Sequence, residues 1–182
     1  MESQERRWYK MSFSARDISE LRYLDQVLDE DRNRCAPALE RGEPIGDRAL
    51  RIGISIDGPE IPVNLSLDAM WIVEEGLAHG ISRLSEGFMF RPIFVSDSRD
   101  RYCLVDAPVI YGVIDEKDQH MVWDGDEVIV SMYLLQDVPQ SVGVFRRSAT
   151  TTWLIVSSAV KALIEDAGPS CIRFSPLINR FG

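Results

Sequence analysis

The sequence lacks the short motifs that mark the common enzyme and metal-binding classes. It contains two histidines, His79 and His120, and it has no HExxH, GxSxG, GxGxxG or GxxxxGK[ST] pattern. These motifs supply a zinc-binding pair, a serine nucleophile or a loop that holds phosphate groups. Their absence excludes the simplest forms of zinc protease, serine hydrolase and nucleotide-binding protein.

Cysteine and long apolar runs are also scarce. The three cysteines, Cys35, Cys103 and Cys171, are widely spaced and form no CxxC pair. Disulfide frameworks and zinc sites use even numbers or close pairs, so we expect free, buried thiols. No apolar run approaches the ~20 residues that span a bilayer. The first residues, MESQERRWYKM, lack the apolar core of a secretory signal, which predicts a cytoplasmic protein.

The sequence has fewer basic than acidic side chains. The 20 basic and 29 acidic side chains give a net charge of −9. Nucleic acids and anionic membranes attract basic surfaces, so the balance argues against both partners. It favours a basic protein partner, whose capture the field would accelerate. Solubility alone is the alternative explanation.

The residues present predict one globular α+β domain over residues 1–182, with 1–60 as a candidate distinct N-terminal subregion. Hydrophobic residues make up 45% and charged residues 27% of the 182, as in ordinary folded domains. Alternating or helical apolar patterns predict the following elements in the first half: a strand at 8–13, a helix at 14–28, a loop at 35–48, strands at 50–56 and 61–65, and a helix at 66–79 with a further turn to 84. Pro62 restricts the 61–65 strand to an edge.

The second half predicts an antiparallel sheet, drawn as a meander, with a few packed helices. Short runs rich in β-branched and aromatic residues alternate with turn residues. They predict strands at 88–95, 102–105, 109–114, 121–123 and 128–135, and further strand from 143–146 and 150–156. A helix over 159–167 is predicted to end at Gly168, before a closing strand at 172–174.

Three weaker patterns could indicate a metal site or a catalytic site. Glu75 and His79 are four residues apart, as helical metal ligands would be, but a histidine near a helix C-terminus is the simpler interpretation. The run 124–127, Asp-Gly-Asp-Glu, lacks the ligand spacing of a calcium loop and favours a hairpin turn. A hydrolase built from dispersed carboxylates or a Cys–His pair remains open. We predict no metal, no cofactor and no catalytic residue.

Acidic residues concentrate in one segment. Residues 115–137 contain seven acidic side chains and one basic one, Lys117, for a net charge of −6. This predicts either a docking surface for a cationic partner or a solubilising rim on adjacent loops at one end of the sheet. Trp123 and Tyr133 are candidate anchors, because aromatic residues often carry binding energy, or core residues. The candidate partner-binding residues are Asp115, Glu116, Asp118, Trp123, Asp124, Asp126, Glu127 and Tyr133.

The closing segment, residues 153–177, carries a recurrent pattern of strand, helix and strand. Its elements are Ile155-Val156-Ser157, Leu163-Ile164, Ala167-Gly168, and Ile172 with Phe174 and Pro176. This pattern resembles the closing motif of a bacterial immunity-protein family of polymorphic-toxin and type VI secretion loci, once known only as a domain of unknown function. Residues 89–96 and 102–114 are similar to the family's middle region. The motif itself is structural and transfers no functional residues.

The resemblance implies a non-catalytic protein that binds and neutralises one cognate toxin or effector. Nuclease toxins carry basic surfaces for phosphate, so an acidic inhibitor would suit one. A small hydrolase with a dispersed active site, and a ligand-binding or scaffold domain, remain as alternatives. A deep pocket lined by titratable groups with shifted pKa values would favour the hydrolase.

Overall fold

The computed structural model describes most of the chain and shows a mixed α+β fold. It describes residues 7–13, 23–35, 49–56, 58, 61–67, 69–96, 98–99, 101–124, 127–148, 153–168 and 172–180. At residues 13, 23, 55–56, 116–124 and 127–131 it describes the backbone only. This part of the chain contains two helices, α1 (Glu75–Leu84) and α2 (Ser158–Asp166). Its strands are β1 (Trp8–Phe13), β2 (Tyr23–Leu24), β3 (Leu50–Ile52), β4 (Ile54–Ile56), β5 (Val63–Leu65), β6 (Trp71–Glu74), β7 (Met89–Val95), β8 (Tyr102–Asp106), β9 (Ile114–Asp124), β10 (Glu127–Leu134), β11 (Val144–Phe145), β12 (Leu154–Ser157), β13 (Ile172–Pro176) and β14 (Ile178–Asn179).

A five-stranded sheet has the order β3-β7-β8-β6-β5. Only its β3–β7 pair is parallel, and the other pairs are antiparallel. Two of its central strands, β6 and β8, are buried on both faces. One face contributes Val73 and Cys103 to a first hydrophobic core, and the other contributes Ile72 and Leu104 to a second core. This explains why β6 and β8 are almost continuously apolar.

A four-stranded antiparallel sheet, β11-β12-β1-β13, lies on the far side of the first core. Both helices contribute to that core, α1 through Leu77 and Ile81 and α2 through Val160 and Ile164. The helices come close to each other at Gly80, where an added Cβ would lie 2.8 Å from Leu163 Cδ2. The helices therefore share one core with the two sheets.

A three-stranded sheet, β14-β10-β9, packs on the opposite face of the four-stranded sheet. Their shared third core holds Trp8, Phe145 and Ile155 from one sheet and Ile114, Met132 and Leu134 from the other. The rings of Trp8 and Phe145 meet edge to face at 5.3 Å between centroids. This core positions the acidic segment, because β9 and β10 carry most of it.

The C-terminal predictions are confirmed. Helix α2 begins after Ser157, whose hydroxyl accepts a hydrogen bond from the Val160 backbone N–H. The helix ends at Asp166, and Gly168 follows with a φ of 132°, which L side chains rarely adopt. The predicted closing strand is β13, and β14 follows it.

The helix predicted at 66–79 is wrong in its first half. Residues Trp71–Glu74 form strand β6, and helix α1 begins only at Glu75. Trp71, Ile72 and Val73 are all buried, so this stretch lacks the alternation that marks a half-exposed strand. A short apolar run of this kind matches a helical stripe equally well in sequence.

The helix predicted at 14–28 is wrong where it can be checked. Residues 14–22 lie outside the described residues, but Tyr23–Leu24 form strand β2 and pair with β4. Beyond them, Leu28 exchanges backbone hydrogen bonds with Arg51.

The predicted strand at 50–56 is divided at Gly53 into β3 and β4, which join different sheets. The loop predicted at 35–48 lies outside the described residues except at its first residue, Cys35.

The strands predicted between 88 and 135 form two hairpins in different sheets. Strands β7 and β8 pair in the five-stranded sheet, and β9 and β10 pair in the three-stranded sheet. The strand predicted at 109–114 is wrong except at Ile114, because Tyr111 and Gly112 form a turn in which Gly112 has a φ of 74°. The predicted 121–123 strand extends back to Ile114, so the acidic residues 115–118 lie in a strand and not in a loop.

Candidate functional site

Most of the acidic segment forms one long antiparallel hairpin, β9 with β10, which we call the acidic ribbon. Its pairing runs from Ile114 opposite Leu134 at the base to Asp124 opposite Glu127 at the tip. The hairpin predicted at 124–127 is therefore confirmed, while Gly125 and Asp126 lie outside the described residues. The expectation that the acids occupy adjacent loops is wrong, because the ribbon is a continuous two-stranded element.

A three-residue irregularity interrupts the ribbon near its base. Met132 pairs with Gln119, but the next residue, Tyr133, pairs with Asp115. Residues 116–118 are therefore extra on β9, as in an enlarged β-bulge. Two of these three, Glu116 and Asp118, are candidate partner-binding residues. Their backbone departs from the regular ladder beside Tyr133.

Asp115 and Tyr133 contact the C-terminal strand region within the protein itself. The guanidinium carbon of Arg180 lies 3.7 Å from the centroid of the Tyr133 ring. Arg180 Nη1 also lies 3.4 Å from Asp115 Oδ2, and its backbone N–H donates to the carbonyl of Leu134. These contacts join the end of β14 to the ribbon base. Each is worth about 1 kcal/mol or less at such partly exposed positions.

The other candidate residues are placed by backbone alone. Trp123 lies on β9 opposite Val128, and Asp124 and Glu127 close the paired part of the ribbon at its tip. Their side chains lie outside the described part of the structure. The ribbon thus brings these residues onto one element with Asp115 and Tyr133, which is the arrangement that local sequence patterns did not reveal.

Two apolar residues at the ribbon base were missed by the sequence analysis. Leu135 is 42% exposed and Ile178 is 37% exposed, and both adjoin Tyr133. Their neighbours Met132 and Leu134 are buried in the third core. For Leu135 the sequence did contain a signal, the apolar run Met132–Leu135. In the predicted strand at 128–135, alternation must place two of these four residues away from the core.

The two described cysteines do not provide a reactive thiol. Cys103 and Cys35 are both buried, and Cys171 lies outside the described residues. Burial, followed by the nearby Glu75 carboxylate, raises the pKa of Cys103 to about 11. The thiolate is the nucleophilic form, so Cys103 is nearly all unreactive thiol at neutral pH. This argues against Cys103 as the nucleophile of a Cys–His hydrolase.

Cys103 is expected to resist alkylation in the folded protein. Treatment with iodoacetamide at pH 8, followed by peptide mass mapping, should modify Cys103 at least about tenfold more slowly than in denaturant. Cys35, which is also buried, provides an internal comparison. Modification of native Cys103 at the rate seen in denaturant would contradict the burial and the raised pKa.

His79 is placed differently from the expectation. It lies in the middle of α1, not near the helix C-terminus, and its ring meets that of Phe90 edge to face at 4.8 Å. Within the described residues, no group of three or more His, Cys, Asp and Glu side chains is close enough to hold a metal ion. His120 lies on β9, although the sequence pattern places it between two predicted strands, at 109–114 and 121–123.

An open cleft of about 620 Å³ lies between the end of α1, residues 140–141 and the start of α2. Its lining includes Arg83, Glu86 and Ser157. Burial and the neighbouring Arg147 lower the pKa of Lys10, but neither Lys10 nor Cys103 lines the cleft. The shifted pKa values of Lys10 and Cys103 therefore give no support to a hydrolase site in this cleft.

The comparisons with known proteins add no relative. No protein-family model matches the chain, and no curated protein matches it. The described part of the chain contains no helix with the length and apolar character needed to cross a membrane. The described residues of the closing segment 153–177 form β12, α2 and β13, where Val156 and Ile164 are buried and Ser157 caps the helix.

Proposed function

We propose that this protein is a cytoplasmic immunity protein that binds and neutralises a cognate antibacterial toxin through its acidic ribbon. The observation that carries the proposal is the gathering of acidic residues onto one element. Residues 115–137 have a net charge of −6, and six of the seven acids lie at 115–127, in or between β9 and β10. An acidic strand pair of this kind offers a cationic protein several carboxylate residues on one element.

The charge suits a toxin whose own substrate is a polyanion. A nuclease binds phosphate groups through lysine and arginine side chains, and the same side chains attract carboxylates. Long-range attraction would also accelerate capture, which matters when the toxin must be bound before it acts. A nuclease effector is accordingly the proposed partner class.

A specific observation favours one alternative function, the binding of a small ligand in the cleft between α1 and α2. A cleft of about 620 Å³ is within the size range of small-molecule sites. Its lining includes Gln140, Ser141 and Arg83, which suits a polar ligand. A ligand-binding domain would keep its ligand after charge reversal of the ribbon, whereas an immunity protein would lose its partner.

A tagged copy of the protein, isolated from the cells that produce it, tests the proposal. We expect one stoichiometric co-purifying protein with a basic, toxic domain, identified by mass spectrometry. Recovery of the protein alone, under conditions in which its neighbouring genes are expressed, would argue against a toxin inhibitor. A screen of the cleft with small molecules would then follow.

Charge reversal at the ribbon tip should slow association with the recovered partner. We expect Asp124→Lys, Asp126→Lys and Glu127→Lys together to reduce the association rate constant by about tenfold or more at low salt, because steering depends on local charge. The slope of that rate against salt should also decrease. Stopped-flow fluorescence or surface plasmon resonance measures both.

The matched control changes the net charge equally at other places. Glu30, Glu86 and Asp166 are exposed and lie outside the ribbon, so reversal of all three should slow association by no more than about threefold. Equal slowing by the two triple variants would show that overall charge matters and the ribbon does not.

A further inference from the structure

The three-stranded sheet exposes apolar side chains on the face that is turned away from the core. Met132 and Leu134 of β10 are buried in the third core, so the alternation of the strand directs Tyr133 to the other side. Leu135, the first residue after the strand, is exposed. Ile178 of β14 pairs with Tyr133 and shares its side. We call Tyr133, Leu135, Ile178 and the adjacent Tyr111 the outer face.

Tyr111 belongs to this face through the turn before β9. The backbone N–H of Leu135 donates to the carbonyl of Val113, which places the 110–113 turn beside the end of β10. The positive φ of Gly112 shapes that turn and leaves Tyr111 70% exposed. Leu135 is 42% exposed and Ile178 is 37% exposed. Leu135 and Ile178 are thus exposed on either side of Tyr133, and Tyr111 lies in the turn next to the end of β10.

A group of exposed apolar side chains on one face of a sheet is less common than a single exposed leucine. An antiparallel sheet with one face in the core usually presents polar residues on its other face. Single exposed apolar residues are common on proteins, but contiguous ones mark interaction sites. Tyr133, at the centre of the face, is half-buried beneath the Arg180 guanidinium.

The charge around the outer face indicates the chemistry of what would cover it. Arg180 and Asp115 offset one another within the face. The remaining ionisable residues next to it along the chain are Glu116, Lys117, Asp118 and Asp137. These four carry a net charge of −2, so the chain on either side of the outer face residues is acidic. A covering segment with apolar side chains flanked by cations would complement both features.

We propose that the outer face docks a segment of the partner protein in which apolar side chains alternate with lysine or arginine. This rests on the proposed function, which it deepens by naming the contact surface. Docking uses the face of the sheet and not the edge of β9, because the extra residues 116–118 interrupt the regular row of backbone groups that an added strand would need.

A labelled peptide of alternating leucine and arginine provides the probe, with fluorescence anisotropy as the readout. We expect the variant with both Leu135→Ser and Ile178→Ser to bind this peptide at least about tenfold more weakly than the wild type. A peptide of alternating serine and arginine should bind the wild type weakly. Leu67→Ser is the matched control, because Leu67 is 55% exposed and lies outside the three-stranded sheet.

A second variant protects the test against misfolding. Tyr111→Ala removes a side chain that is 70% exposed, so it should weaken peptide binding with unchanged thermal unfolding. Wild-type affinity in both the double variant and Tyr111→Ala would overturn the inference, as would equal binding of the two peptides. Failure of the protein to protect cells from a toxin would instead refute the proposed function and leave the peptide result standing.

Discussion

Replacement of Phe145 by alanine is expected to lower the free energy of unfolding by about 3–5 kcal/mol. The Phe145 side chain is fully buried, and it contacts Trp8 in the core between the four-stranded sheet and the ribbon base. Its truncation removes apolar burial and leaves a cavity that β11 and β12 cannot easily close. Urea denaturation followed by tryptophan fluorescence and by far-UV circular dichroism measures the change.

Two matched variants separate this effect from a general loss of aromatic surface. Phe145→Leu retains most of the buried volume and should cost about 1.5 kcal/mol or less. Tyr111→Ala removes a ring of similar size that is 70% exposed, and it should change stability by no more than about 0.5 kcal/mol. A Phe145→Ala cost near that of Tyr111→Ala would mean that the third core does not hold the ribbon base to the sheet.

Replacement of Gly143 by alanine is expected to be the second most damaging change, at the upper end of the ~1–3 kcal/mol range for overpacking. An added Cβ would overlap the backbone carbonyl oxygen of Leu84 and would lie 3.1 Å from Val160 Cγ2. The Gly143 backbone cannot retreat easily, because its N–H donates to the Ser85 hydroxyl and its carbonyl accepts from the Ser157 N–H. Thermal unfolding by calorimetry or circular dichroism measures the loss.

Gly76→Ala provides the matched control for the same chemical change. Gly76 lies in α1, is exposed, and has only Glu74 Oε1, at 3.7 Å, near the position of an added Cβ. Alanine favours a helix over glycine, so this variant should gain about 0.5–1 kcal/mol. Opposite signs at the two glycines would support the close approach of residue 143 to the end of α1, and a neutral Gly143→Ala would contradict it.

Elements with local signals were predictable from the sequence. The α2 helix has a serine cap before it and a glycine after it, and both signals act within a few residues. Strand β1 alternates apolar and polar residues from Tyr9 to Phe13, so its period of two was visible in the sequence. The α+β class followed from the same local patterns and is confirmed.

Elements that depend on distant contacts were not predictable in the same way. Strand β6 is covered on both faces, and only its sheet neighbours distinguish it from a helix. The three extra residues of β9 become apparent only when β9 is aligned with β10. The contact of Arg180 with Asp115 joins residues 65 positions apart, so no local pattern indicates it. The acidic composition of the segment was visible, but its form as a ribbon was not.

The fold supplies a physical basis for presenting the acidic ribbon. The third core anchors its base, and Arg180 connects that base to the C-terminal strand through Tyr133 and Asp115. A base held by these contacts would need little further ordering in the proposed complex, which would favour affinity. The same core places the apolar outer face next to the acidic residues, so one surface combines attraction at a distance with apolar burial on contact.

The most direct test of the proposed function is survival of cells that produce the co-purified partner. We expect that partner alone arrests growth, that the wild-type protein restores growth, and that the triple reversal at Asp124, Asp126 and Glu127 restores it less well than the reversal at Glu30, Glu86 and Asp166. Growth arrest that persists in the presence of the wild-type protein, produced at equal or greater level, would contradict the account.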